Sequence, residues 1–169
     1  MSGERRLPSA EVERIVPAPP AEVFDAWLDE AVLREFVCPA PGRAVEVSVD
    51  PQLGGQYRYL MSLPDRELVV TGEYIALDRP ERISFTWRCS DTGDLESVVT
   101  VTLEPRGNDA TLMLITHSLL PGKLIDQHLE GWTLVARQLA ARLRSLPDGR
   151  TPAALQALRQ PVRKRGEAS

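Results

Sequence analysis

The sequence predicts an α+β fold: an antiparallel sheet covered by one long C-terminal helix, with two short helices after the first strand. Three observations carry this. Polar and apolar residues alternate for about seventy residues from Val45, the period of half-buried strands. The turn signals inside that run lie too close together for crossover helices, which leaves only antiparallel pairing. Beyond Pro121-Gly122 the apolar residues fall instead at steps of four and three, which places them along one side of a helix.

Each element follows from local chemistry. Residues 11–16 (EVERIV) alternate and read as a strand that Pro17, Pro19 and Pro20 stop. Proline is tolerated in a first helical turn, where its missing N–H costs nothing, so Pro20 opens a helix carrying Val23, Phe24, Trp27 and Leu28 at helical spacing. Asp29 can accept from the exposed N–H groups of a second short helix that runs through Val37. Pro39, Pro41 and Gly42 end it. Val45, Val47 and Val49 share one face of the next strand, and after Gly54-Gly55 Tyr57, Tyr59 and Met61 share a face of another. Further strands are expected at 67–77, 82–87, 96–103 and 111–117, separated by Asp78-Arg79-Pro80, Asp91-Thr92-Gly93-Asp94 and Gly107-Asn108-Asp109. The last helix starts at Lys123 and aligns Ile125, Leu129, Trp132, Ala136, Leu139, Leu143 and Leu146. At about 25 residues, or about 37 Å, it is long enough to lie across the sheet.

Composition narrows the function classes. With 169 residues, 43% hydrophobic and 26% charged, the chain suits one domain with a substantial core. A net charge of -4 and a pI near 5.3 give no electrostatic footprint for nucleic acid, so none is expected as a partner. No run approaches the roughly 20 apolar residues of a membrane span, and the first ten residues lack the apolar segment of a secretory signal, which makes a cytoplasmic location the expectation. Cys38 and Cys89 stand at no metal-type spacing. The expected organisation is a flexible N-terminus over 1–9, the domain over 10–146 and a flexible tail over 147–169, the tail carrying a short helix around 153–159 and a basic run at 163–165. A symmetric homodimer is a common enough state to expect.

For chemistry, His117 at the end of the last strand and His128 at the start of the last helix can both approach one end of a cavity. The reading that explains them with least is a hydrogen bond from each to backbone or a carboxylate; no metal or other cofactor is indicated. Gly131 sits inside the helix, where glycine costs about 1 kcal/mol relative to alanine, so it needs a reason. Close packing against the sheet is favoured over space left for a ligand. Tyr57, Tyr59, Met61, Phe85, Trp87, Met113 and Ile115 can line an aromatic, sulfur-containing cavity, to which Trp27, Phe36, His117, His128, Trp132 and Val135 are added as candidate ligand contacts. With 5% aromatic residues the cavity should be modest. Arg58, Glu73, Arg88 and Glu96 fall on expected strands and are read mainly as solvent-facing, and no G-x-S-x-G turn, Cys-His pairing or phosphate loop is present. No catalytic residue is assigned.

Several segments together resemble a known family: VFDAW at 23–27, GGQYR at 54–58, GEYIALDRPERISFTW at 72–87, VTVTLEP at 99–105, Thr116-His117, and HLEGW at 128–132. Spanning 12–143, they resemble the activator of heat-shock-protein-90 ATPase homologue-like family of the START-like or SRPBCC superfamily. Where members often carry a Trp-Trp-Gly-Pro-like segment after the second helix, this chain has Phe36-Val37-Cys38-Pro39, so the pocket mouth differs. The resemblance implies a helix-grip architecture, a curved sheet wrapped around the long helix with a cavity between them. It implies as partner a small hydrophobic or amphipathic molecule, held without an evident reaction. The alternatives it leaves are a protein-interaction module acting on a chaperone ATPase in a stress response, and a cyclase- or hydrolase-like enzyme using His117 or Glu73.

Overall fold

The computed structural model describes residues 9–144, and within them Ser9–Val16 forms β1, ended by Pro17, which has no N–H to extend the ladder. Pro20 occupies the first turn of α1 (Pro20–Ala26), which buries Val23, Phe24 and Ala26. Asp29 caps α2 (Glu30–Phe36): its Oδ1 accepts from the Ala31 and Val32 amides at 2.9 and 3.2 Å, and Val37 closes the helix. Six strands then follow without a crossover: β2 (Arg43–Val49), β3 (Gln56–Leu63), β4 (Arg66–Asp78), β5 (Arg82–Trp87), β6 (Ser97–Arg106) and β7 (Ala110–Ser118). They form a seven-stranded, wholly antiparallel curved sheet in the order β1-β7-β6-β5-β4-β3-β2. A 3-10 turn at Gly122–Leu124 leads into α3 (Ile125–Arg142). This is the α+β helix-grip architecture expected.

Four local expectations need correction. Val45 does not share the buried face of Val47: a bulge between Ala44 and Glu46 shifts the register, so Ala44 turns inward and Val45 is 38% exposed. Helix α3 has 18 residues, about 27 Å long, because Lys123 and Leu124 belong to the 3-10 turn and Leu143 is the C-cap. Ile125 and Leu129 lie outside the buried stripe, which consists of Trp132, Val135, Ala136, Leu139 and Ala140. Arg88 and Glu96 belong to the β5–β6 connection, Arg88 meeting Thr71 in an isolated bridge. Leu146, the helix expected at 153–159, the basic run at 163–165 and nearly all of 1–9 lie outside the described residues. Among the described residues no helix is long and apolar enough to cross a membrane.

One irregularity shapes the sheet. Between the Tyr74–Phe85 pair and the Thr71–Arg88 bridge the β4–β5 ladder opens. The gap is closed by side chains: the Tyr57 hydroxyl donates to the Thr86 carbonyl at 2.6 Å, and the Glu73 amide donates to Thr86 Oγ1 at 2.9 Å. Tyr57 reaches that carbonyl across Gly72, where a Cβ would lie 1.9 Å from the Thr86 oxygen and 2.5 Å from the Tyr57 ring. Glycine is required there by contact.

Candidate functional site

Helix α3 approaches the sheet most closely along β1 and is flanked by α2, while α1 covers β6 and β7. The concave end formed by β3, β4 and β5 is therefore left incompletely filled. A cleft of about 160 Å³ opens there, with an apolar wall of Val37, Pro39, Met61, Leu63, Leu68, Trp87, Trp132 and Val135. Its polar residues are Arg66, Asp91, Gln127 and His128, and Gly131 completes the helix side. Arg66 grips Asp91 through Nε and Nη2, and the Gln127 amide donates to Asp91 Oδ2 at 3.4 Å. This network joins the start of β4, the β5–β6 connection and the first turn of α3.

Behind the cleft runs a fully directed hydrogen-bond chain. An indole nitrogen can only donate, so the 2.9 Å contact from Trp132 Nε1 makes His117 Nδ1 an acceptor. The proton of a neutral imidazole then sits on Nε2, which donates to Ser97 Oγ at 2.8 Å, and the Ser97 hydroxyl donates to the Trp87 carbonyl at 3.2 Å. Four elements are tied by it: α3, β7, β6 and β5. Burial, followed by the nearby His128, lowers the His117 pKa from 6.5 to about 3. Both its nitrogens are committed, so it is poorly placed to serve as a base. His128 packs edge-on against it, ring centroids 5.0 Å apart, and donates from Nδ1 to the Leu124 carbonyl at 3.0 Å. The expected backbone bond is thus found at His128, whereas His117 bonds side chains, because its strand position faces Trp132 and Ser97 rather than a turn.

Of the residues expected to contact a ligand, Met61, Trp87, His128, Trp132 and Val135 line the cleft. The others stand behind its wall. Trp27 packs on Phe36 with centroids 5.1 Å apart and on Trp132 at 6.3 Å, and Tyr57 packs on Tyr59 at 4.7 Å and on Phe85 at 5.4 Å. Met113 and Ile115 are buried on β7, beneath the part of the sheet that α1 covers. They serve the core. Sequence reasoning missed Val37, Pro39, Leu63, Leu68, Arg66, Asp91 and Gln127. Leu68 carried a signal, since it pairs with Met61 across β3 and β4. So did Val37 and Pro39, which fall in the segment where the resemblance implied a different pocket mouth. Arg66, Asp91 and Gln127 had none.

Gly131 also needs a different account from close packing. A Cβ there would meet only Pro39 Cγ, at 3.9 Å, an ordinary contact. Arg58, Glu73 and Glu96 gather around a separate hollow of about 390 Å³ on the outer face, lined by Ser48, Gln56, Thr71 and Thr86 among others. Though larger, it is polar and offers little to an apolar molecule. Arg58 pairs with Glu46 at 3.1 Å and Arg88 with Glu96 at 3.6 Å, all four side chains well exposed. Cys38 and Cys89 are free and buried, and burial pushes the Cys38 thiol up to about 11. Among the described residues no three His, Cys, Asp or Glu side chains are grouped to hold a metal ion.

Comparison with known proteins gives the geometry a setting. The family model described as "Activator of Hsp90 ATPase homolog 1-like protein" matches residues 17–144. Protein CV1439 from Chromobacterium violaceum is 28% identical with a TM-score of 0.68, over 79% of this chain and 94% of that one. The AHSA1 protein SPO3351 from Silicibacter pomeroyi is 27% identical with a TM-score of 0.69, over 80% and 97%. DynU16, a protein of the dynemicin biosynthetic locus, shares the fold at 23% identity and a TM-score of 0.65, over 80% of this chain and 46% of that one. No curated protein matches.

Proposed function

We propose, for a chain that belongs to the activator of Hsp90 ATPase homolog 1-like protein family, that it binds a small hydrophobic or amphipathic molecule in the cleft between α3 and the β3–β5 end of the sheet, without transforming it. The observation that carries this is the cleft's division of labour: an apolar wall that gains by excluding water, and a rim of Arg66, Asp91, Gln127 and His128 that can orient a polar end. Binding without reaction is supported by the state of the groups nearby. His117 is neutral and committed at both nitrogens, and Asp91 is neutralised by Arg66. That DynU16 belongs to a biosynthetic locus agrees with a small-molecule role and names no ligand.

Native mass spectrometry of gently purified full-length protein tests the reading. The expected result is a non-covalent adduct of small mass that is lost on denaturation. A bare polypeptide mass, together with no shift of the Trp87, Trp132 or Val135 amide resonances by a panel of small apolar probes at millimolar concentration, would remove it.

A further inference from the structure

We infer that the cleft selects a compact neutral ligand, about one ring in size, whose polar end donates a hydrogen bond to His128, and that Gly131 sets the upper limit on that size; this rests on the ligand-binding reading above. The volume gives the scale. An apolar cavity of about 150 Å³ holds benzene, and this cleft measures about 160 Å³.

Gly131 bears on the limit because nothing else among the described residues requires it. Inside an 18-residue helix glycine is an unfavourable choice, yet among the described residues no backbone or side chain approaches closely enough to forbid a methyl group. The nearest atom to an added Cβ is Pro39 Cγ at 3.9 Å, and both residues line the cleft. What an alanine would remove is room between the helix and the opposite wall.

The polarity follows from counting hydrogen bonds at the rim. Arg66 places three of its five N–H groups on Asp65 and Asp91, and the two Asp91 oxygens receive Arg66 and Gln127. His128 donates from Nδ1 to the Leu124 carbonyl, so in the ring that carries one proton the lone pair is on Nε2, for which no donor is found among the described residues. The Gln127 amide oxygen is likewise without a donor among them. On the helix side of the rim His128 Nε2 is therefore left as an acceptor, which fits a hydroxyl or similar donor. A charged ligand fits poorly beside an apolar wall whose only rim charges already neutralise each other.

Two probes separate the claims: p-cresol and 4-methylanisole, which share ring and methyl group and differ in the donor. Both are titrated into isotope-labelled full-length protein while cleft amide shifts are followed. The expected result is binding of p-cresol about tenfold tighter than the ether. In His128→Phe that ratio should fall towards one. Gly131→Ala should weaken both probes about fivefold or more while leaving the melting temperature unchanged or raised. Equal affinity of the two probes for the wild-type cleft overturns the donor inference while the ligand-binding reading stands. That comparison needs no variant, so it decides even if His128→Phe misfolds. Unaltered affinities in Gly131→Ala overturn the size limit. Absence of any cleft shift with either probe overturns the inference, and only a bare polypeptide mass and silence of the wider probe panel beside it would take the ligand-binding reading as well.

Discussion

Burying an imidazole is tolerable when it stays neutral, and at His117 the neighbours fix which nitrogen holds the proton. Trp132 supplies a donor that cannot reverse, and Ser97 passes the remaining proton on to a backbone carbonyl. Protonating Nδ1 would set two donors face to face in a site where the ring is 0% exposed. The sign of the linkage follows. The unfolded chain takes up this proton near pH 6.5, the folded one only near 3, so between those values the unfolded state binds more protons and stability falls as pH falls. The contribution is fully present above about pH 6.5. Within the window His117 should add a slope of about 1.4 kcal/mol per pH unit at most. Urea denaturation at pH 7, 5.5, 4.5 and 3.5 checks it: His117→Gln should lower stability at pH 7 by about 1–3 kcal/mol, since one neighbour loses its partner, and should flatten the acid slope. Parallel slopes for the two proteins would show that other groups drive acid unfolding.

Two glycines show how the same substitution takes opposite signs on different elements. In β4, Gly72 has the Thr86 carbonyl and the Tyr57 ring where a Cβ would stand, so Gly72→Ala must force the β3–β5 strands apart or break the Tyr57 bond that closes the open ladder. A loss of about 3 kcal/mol or more is expected in chemical denaturation. In α3, Gly131 meets no such obstacle, and Gly131→Ala should be neutral or stabilising by up to about 1 kcal/mol. Comparable destabilisation by both would contradict the contacts described. Neither sign is available from the sequence, although the elements themselves are. The strands are legible because one face of each is buried and period two follows directly; the Asp29 cap is legible because its chemistry is local. What escapes is whatever depends on a neighbour: the bulge that turns Val45 outward, the ladder gap over Gly72, and the point where the 3-10 turn gives way to α3.

At the scale of the whole molecule, the cleft depends on holding the segment after α2 against α3, and one side chain makes three hydrogen bonds to it. Gln138 donates from Nε2 to the Phe36 and Cys38 carbonyls at 2.9 and 2.8 Å, and its Oε1 accepts from the Ala40 amide at 2.8 Å. The segment it holds carries Val37 and Pro39, which form the cleft wall facing Gly131. The candidate site is therefore only half legible in the sequence. Trp132 announces itself by helical spacing and Met61 and Trp87 by strand spacing, but the wall opposite is positioned by a polar residue about a hundred positions away in the chain, and no local pattern records that pairing. Removing the clamp should therefore loosen the mouth without dissolving the sheet. For Gln138→Ala, three hydrogen bonds at about 0.5–1.5 kcal/mol each give an expected loss of about 1.5–4 kcal/mol, and the effect should be uneven. Hydrogen exchange should accelerate at the Ala40 amide and its neighbours by a larger factor than at the paired amides of β6 and β7, whose ladder remains whole. Uniform acceleration across the sheet would mean that Gln138 supports the global fold rather than the mouth. An unchanged Ala40 rate would mean that the segment is held by Pro39 and Cys38 packing alone.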